Sequence, residues 1–160
     1  MDERFHIIST LVEDKPGVLY KVTGLLNRRG FNIESITVGE SEVEGLSRMV
    51  ITVKGDSSTL EQVTKQLNKL VEVIKIKNVS ENSVKRELCL IKVTTPDKYV
   101  REEIMQYVEI YKAKILDVCE DNLLIEITGK PSNIDTFIEL VDQYGIITLT
   151  RTGLTAMSRG

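Results

Sequence analysis

The chain has 160 residues, 41% hydrophobic and 28% charged, and its 21 basic against 24 acidic side chains leave a formal net charge of -3. That balance excludes intrinsic disorder, which needs fewer apolar residues and a larger net charge, and no stretch approaches the ~20 consecutive apolar residues of a membrane-spanning helix. A pI of about 5.3, 5% aromatic residues and no tryptophan provide neither the basic field nor the stacking surface that nucleic acid requires, so no nucleic-acid or membrane partner is expected.

The length suits one domain or two small ones. Two domains of roughly 75 residues would each bury only about 60% of their unfolded surface, and such domains tend to lean on a partner. Cys89 and Cys119 are far apart in apolar, strand-like runs and are read as two buried, reduced thiols. With a single histidine and no Cys-x-x-Cys spacing, no metal site is expected. The start Met1-Asp2-Glu3-Arg4 lacks the basic stretch and apolar core of a signal peptide, so a cytoplasmic location is expected.

In chain order, Phe5 to Val12 is an apolar, β-rich run that stops at Glu13-Asp14-Lys15-Pro16-Gly17. Val18, Leu19, Val22, Leu25 and Leu26 then share one helical face, and Gly30 stands where a C-terminal cap belongs. Phe31–Val38 and Leu46–Val53 read as two strands of a hairpin, with Ser47, Met49, Ile51 and Val53 on one face. Ser58-Thr59-Leu60-Glu61 has capping-box spacing, and Leu60, Val63, Leu67 and Leu70 follow at helical intervals before a fourth strand over 71–79.

The same order then returns: strand 87–94, helix 97–112 with Val100, Ile104, Val108 and Tyr111 on one face, and strands 114–118 and 123–128. A helix begun by Pro131-Ser132 buries Ile134, Phe137, Ile138 and Val141, and a last strand covers 146–150. Twice β-α-β-β-α-β predicts an α+β chain of two tandem ferredoxin-like units, each an antiparallel sheet with both helices on one face. The expected domains are residues 1–79, a linker over 80–84, and residues 85–160.

Groups able to do chemistry are sparse. His6 alternates with apolar residues on the first strand and reads as a sheet residue, and no nucleophile triad, phosphate-binding glycine loop or calcium loop is present. Glu102-Glu103 and Glu120-Asp121 fall in stretches expected to be solvated, so no catalytic residue is assigned. One segment has the makings of a ligand site. At Asp14-Lys15-Pro16-Gly17-Val18-Leu19 the chain enters a helix at a glycine, so first-turn amides and the positive end of the helix dipole face a position that no side chain blocks. A carboxylate suits those amides and Asp14 suits an ammonium, which together fit an α-amino acid; ordinary N-capping and Pro-Gly turn chemistry explain the same residues. The Asn32 amide either closes its turn or reaches a ligand, and Arg48 places a cation on an otherwise apolar strand.

Taken in order, several segments resemble the small regulatory subunit of acetohydroxyacid (acetolactate) synthase, whose N-terminal half is an ACT domain. They are Val12-Glu13-Asp14-Lys15-Pro16-Gly17-Val18-Leu19, Arg28-Arg29-Gly30-Phe31-Asn32-Ile33-Glu34-Ser35, Leu46-Ser47-Arg48-Met49, Gln66-Leu67-Asn68-Lys69-Leu70 and Met157-Ser158-Arg159-Gly160. The resemblance implies a non-catalytic partner of a catalytic large subunit that carries thiamine diphosphate, Mg and FAD, with no cofactor on this chain. It implies feedback by valine, or by leucine or isoleucine, in a homodimer formed through the ACT domains. Asp14, Gly17, Val18 and Leu19 would hold the effector, and Asn32 and Ile33 would close the site from the neighbouring chain. Position 14 departs from relatives that carry Asn. Two competing readings are a stand-alone amino-acid sensor governing another enzyme and an acylphosphatase-type enzyme; the latter lacks its arginine cradle before the first helix.

Overall fold

The computed structural model describes residues 4–160; residues 1–3, part of the start read above as lacking leader chemistry, lie outside the described residues. The chain divides into two compact units, one running to Val84 and taking in Leu154–Gly160, the other Lys85–Gly153.

The first unit is β1 (Arg4–Glu13), α1 (Val18–Arg28), β2 (Asn32–Glu40), β3 (Leu46–Gly55), α2 (Thr59–Leu67) and β4 (Val73–Asn78), with sheet order β2-β3-β1-β4. All pairings are antiparallel. Alternation along β1 and β3 sends Ile8, Val12, Met49, Ile51 and Val53 to one face. There they meet Val18, Val22 and Leu26 of α1 and Val63 and Leu67 of α2, the apolar faces that the helical spacing predicts. Burying these side chains at about 1.5–3 kcal/mol each is what holds the helices on the sheet.

The second unit repeats the plan with β5 (Ser83–Thr94), α3 (Lys98–Ile110), β6 (Lys114–Val118), β7 (Asn122–Gly129), α4 (Pro131–Asp142) and β8 (Ile146–Arg151), in the order β6-β7-β5-β8. Cys89, Ile91, Val93, Leu123, Ile125 and Ile127 pack against Ile104, Val108, Ile134, Phe137 and Val141, with the Tyr111 ring edge-on to Phe137 at 5.6 Å. The repeat extends to its irregularities. Register shifts fall between Leu11 and Val12 and between Ile33 and Ser35 in the first unit, and between Lys92 and Val93 and between Ile115 and Asp117 in the second. Each unit therefore bulges its edge pairings at matching places.

Four expectations are corrected. The segment 85–160 is not one body: after β8 the chain adds β9 (Thr155–Ser158), and Leu154–Gly160 clusters with the first unit. The reason is burial, because Leu154 and Ala156 pack on Ile7, Val50 and Val79, the side of the first sheet that the helices leave uncovered. The Ser58–Glu61 capping box does not form. Instead the Asp56 carboxylate accepts from the Ser58 amide at 3.0 Å, the Ser58 hydroxyl at 2.7 Å and the Thr59 hydroxyl at 3.2 Å. An acid two residues before the serine takes the Ser58 amide that the Glu61 carboxylate would have accepted, and these bonds hold the Asp56 carboxyl below its usual range, the Ser58 hydroxyl contributing most. Cys119 is exposed, because β6 ends at Val118 and Cys119 starts the turn; Cys89 is buried, which pushes its thiol up. Finally, α2 ends at Leu67 rather than Leu70, and β4 begins at Val73.

Candidate functional site

The turn between β1 and α1 is built by backbone bonds on both sides. Glu13 N–H donates to Glu72 O and Asp14 N–H to Gly45 O, both at 2.9 Å, so the turn is moored to the start of β4 and to the β2–β3 loop. Gly17 is the N-cap of α1 at φ 86°, and no side chain caps the helix. That left-handed conformation favours glycine, and the space where a Cβ would stand is open. The Val18 amide donates to Lys15 O at 3.3 Å and the Lys21 amide closes the first helical bond to Gly17 O, which leaves the Leu19 and Tyr20 amides without an acceptor among the described residues.

Charge around the turn is already partly balanced. Lys15 pairs with Glu13 at 3.0 Å, and Lys21 pairs with Glu72, whose carboxyl it holds below the usual range. The positive character offered to a ligand therefore comes from the free amides and the helix dipole rather than from an unpaired lysine. Asp14 is exposed and its carboxylate takes no hydrogen bond among the described residues, so the N-capping alternative for Asp14 is not realised. Val18 is buried in the core, whereas Leu19 remains 46% exposed beside the open amides. Such a turn can take a carboxylate on its amides, an ammonium on Asp14 and an apolar side chain against Leu19.

Asp14, Gly17, Val18 and Leu19 are thus together. Asn32 and Ile33 are elsewhere in the same chain: Asn32 pairs with Lys54, the partner of Phe5, whereas the turn follows the Glu13–Leu46 pair. Eight residues of β1 separate those rows, about 27 Å at the rise of a strand. Asn32 is exposed and Ile33 half-buried at the start of β2, a sheet edge.

The other residues singled out from sequence have local partners. His6 is buried, and its Nε2 hydrogen-bonds Asp56 O at 2.7 Å. Arg48 forms a bidentate pair with Glu42 at 2.9 and 3.1 Å, which lowers the Glu42 pKa. Glu120 and Asp121 are solvated, as is Glu102, while Glu103 is half-buried. Among the described residues no group of three or more His, Cys, Asp or Glu side chains is placed to hold a metal ion, and no helix is long and apolar enough to cross a membrane.

A βαββαβ unit in this strand order, with a glycine-opened first turn, defines an ACT-type domain, and residues 8–75 match the profile described as an AHAS small subunit-like ACT domain. Residues 86–160 match the profile described as the small subunit of acetolactate synthase. The probable acetolactate synthase small subunit of Methanothermobacter thermautotrophicus is 55% identical over 100% of this chain and 96% of its own. The acetolactate synthase small subunit of Mycolicibacterium smegmatis is 48% identical over 97% and 91%. The crystal structure of the acetolactate synthase small subunit from Thermotoga maritima superposes with a TM-score of 0.92 at 51% identity, covering 98% of each chain. The chain belongs to the acetolactate synthase small-subunit family.

Proposed function

We propose that this chain is a regulatory subunit of acetolactate synthase in branched-chain amino acid biosynthesis. It docks on a catalytic large subunit, raises its activity, and makes it sensitive to valine, or to leucine or isoleucine, bound at an interface between two ACT domains. In this reading the chain has no catalytic site of its own, works in the cytoplasm, and leaves thiamine diphosphate, Mg and FAD to the catalytic partner.

The observation that carries the reading is the uncapped first turn at Gly17, with two free amides and the unpaired Asp14. The placement of Asn32 supports the dimeric site. If β2 pairs antiparallel with its copy across a two-fold axis, each β2 start lies beside the other's β2 end. That end is where Glu40 pairs with Ser47, one row from the Gly17 turn. Asn32, remote from the turn in its own chain, would then stand at the end of the joined sheet that holds the partner's turn. An effector can shift the enzyme only by its differential affinity for the two states, so a response of roughly 5–150-fold is expected. One methylene is worth about 1–3 kcal/mol in a pocket, so preference among the three amino acids will be graded rather than absolute.

The test is acetolactate formation by the catalytic subunit with and without this chain, titrated with each branched-chain amino acid. Activation together with inhibition by one of the three is the expected result. A catalytic subunit indifferent to the chain, or no large thiamine-diphosphate subunit recovered on co-purification, would refute the assignment.

A further inference from the structure

The side of the first sheet turned away from its helices carries a cavity of about 310 Å³, whose lining shares no residue with the Asp14–Leu19 turn. We propose that this cavity binds a phosphate group carried on a small, partly apolar molecule.

The register places its residues. Ser9 pairs with Lys77 and Leu11 with Lys75 across β1 and β4, while Leu11 pairs with Arg48 across β1 and β3, so all five side chains project from the face opposite Ile8 and Met49. The tail closes the other side: Lys77 Nζ donates to the Ser158 hydroxyl at 2.7 Å, and Ala156 is buried against Val79. Leu11, Val79, Ala156 and Met157 give the cavity an apolar wall, and its volume stands at the low end of small-molecule sites, roughly 300–1,000 Å³.

The charge pattern selects the ligand. Arg48 has the planar fork that recognises a carboxylate bidentately, but Glu42 already occupies both arms. What remains is two lysine ammoniums, point charges suited to a tetrahedral oxyanion. Lys75 makes no hydrogen bond or ion pair among the described residues, and Lys77 keeps two of its three donors free. The half-buried Ser9 hydroxyl, also without a partner among the described residues, adds a neutral donor. Two uncompensated positive charges match a phosphate monoester, which carries about -1.5 to -2 at pH 7, better than a single carboxylate.

The experiment uses the full chain and three probes: phenyl phosphate, inorganic phosphate and benzoate, followed by amide chemical shifts and calorimetry. Phenyl phosphate should bind saturably, shift the amides of Ser9, Leu11, Lys75, Lys77 and Ser158, and bind about tenfold more tightly than benzoate. Lys75→Glu should weaken it by about tenfold or more while Lys75→Arg retains binding, and Gly17→Asp should leave it unchanged, which separates this site from the effector turn. Lys75 is exposed and without a partner, so neither change threatens folding. Absence of saturable phenyl phosphate binding, indifference to Lys75→Glu, or equal affinity for benzoate would overturn the phosphate assignment. Inorganic phosphate binding as tightly as phenyl phosphate would overturn the apolar-body part of the proposal.

Discussion

The second unit enters α3 through Asp97, whose carboxylate accepts the Val100 amide at 2.9 Å, whereas the first unit enters α1 through Gly17 with no side chain on its amides. Strand order, helix placement and bulges are otherwise the same in the two units. The difference teaches where a ligand has room: a self-supplied carboxylate fills in α3 the place that an amino acid's carboxylate would take in α1. A second contrast lies on the opposite face of the first sheet, where Leu154 and Ala156 cover apolar side chains that the helices do not reach.

The largest effect should come from a side chain placed at the uncapped turn. Gly17→Asp puts a carboxylate at the proposed anion position and should erase the whole effector response while leaving activation of the catalytic subunit intact. Because φ is 86° there, Gly17→Asn is the matched control, since Asn tolerates the same backbone without the charge. An effector titration of the reconstituted enzyme that is unchanged by Gly17→Asp would remove the site assignment. Next, Leu154→Ala should cost about 2–3 kcal/mol, with hydrogen-exchange protection falling in β1, β3 and β4 rather than in β5 to β8. Protection lost in α3 and α4 instead would show that the tail supports the second unit.

Smaller changes refine the contrast. Asn32→Ala should weaken effector binding by roughly 1–3 kcal/mol if its amide bonds a charged group, read as the calorimetric dissociation constant. Asp97→Ala should cost about 1 kcal/mol of second-unit stability and leave the effector response untouched; a changed response would mean that the two turns are coupled. The smallest is a pH effect at Asp56. Its folded pKa is lowered, so its contribution is present above the ordinary carboxylate range and lost as pH falls through the folded value. Between pH 6 and 3 the melting temperature of the native chain should therefore fall more steeply than that of Asp56→Asn, and parallel curves would argue against the Asp56–Ser58 bonds.

Much of this was legible from residue order. Helical spacing placed Val18, Val22, Leu26, Ile104, Val108, Phe137 and Val141 on buried faces because each pattern is local and periodic. The repeated β-α-β-β-α-β order carried the architecture, and Gly17 marked the open turn because few other residues adopt its backbone. Cap chemistry was harder to read. Ser58 and Glu61 had the right spacing, yet Asp56 competes for the Ser58 amide, and only the three-dimensional path of the turn decides that contest.

The sequence by itself determined the elements, their order and the glycine that opens the first helix, since these depend on neighbours within a few residues. Only the tertiary structure decided matters of long range. It returned Leu154–Gly160 to the first unit, where Leu154 and Ala156 bury Val50 on the face opposite Met49, Ile51 and Val53, so β3 is covered on both sides. It placed Asn32 a strand's length from the turn of its own chain. It also gathered Ser9, Lys75, Lys77 and Ser158 around one cavity, from three strands whose pairing no local pattern specifies.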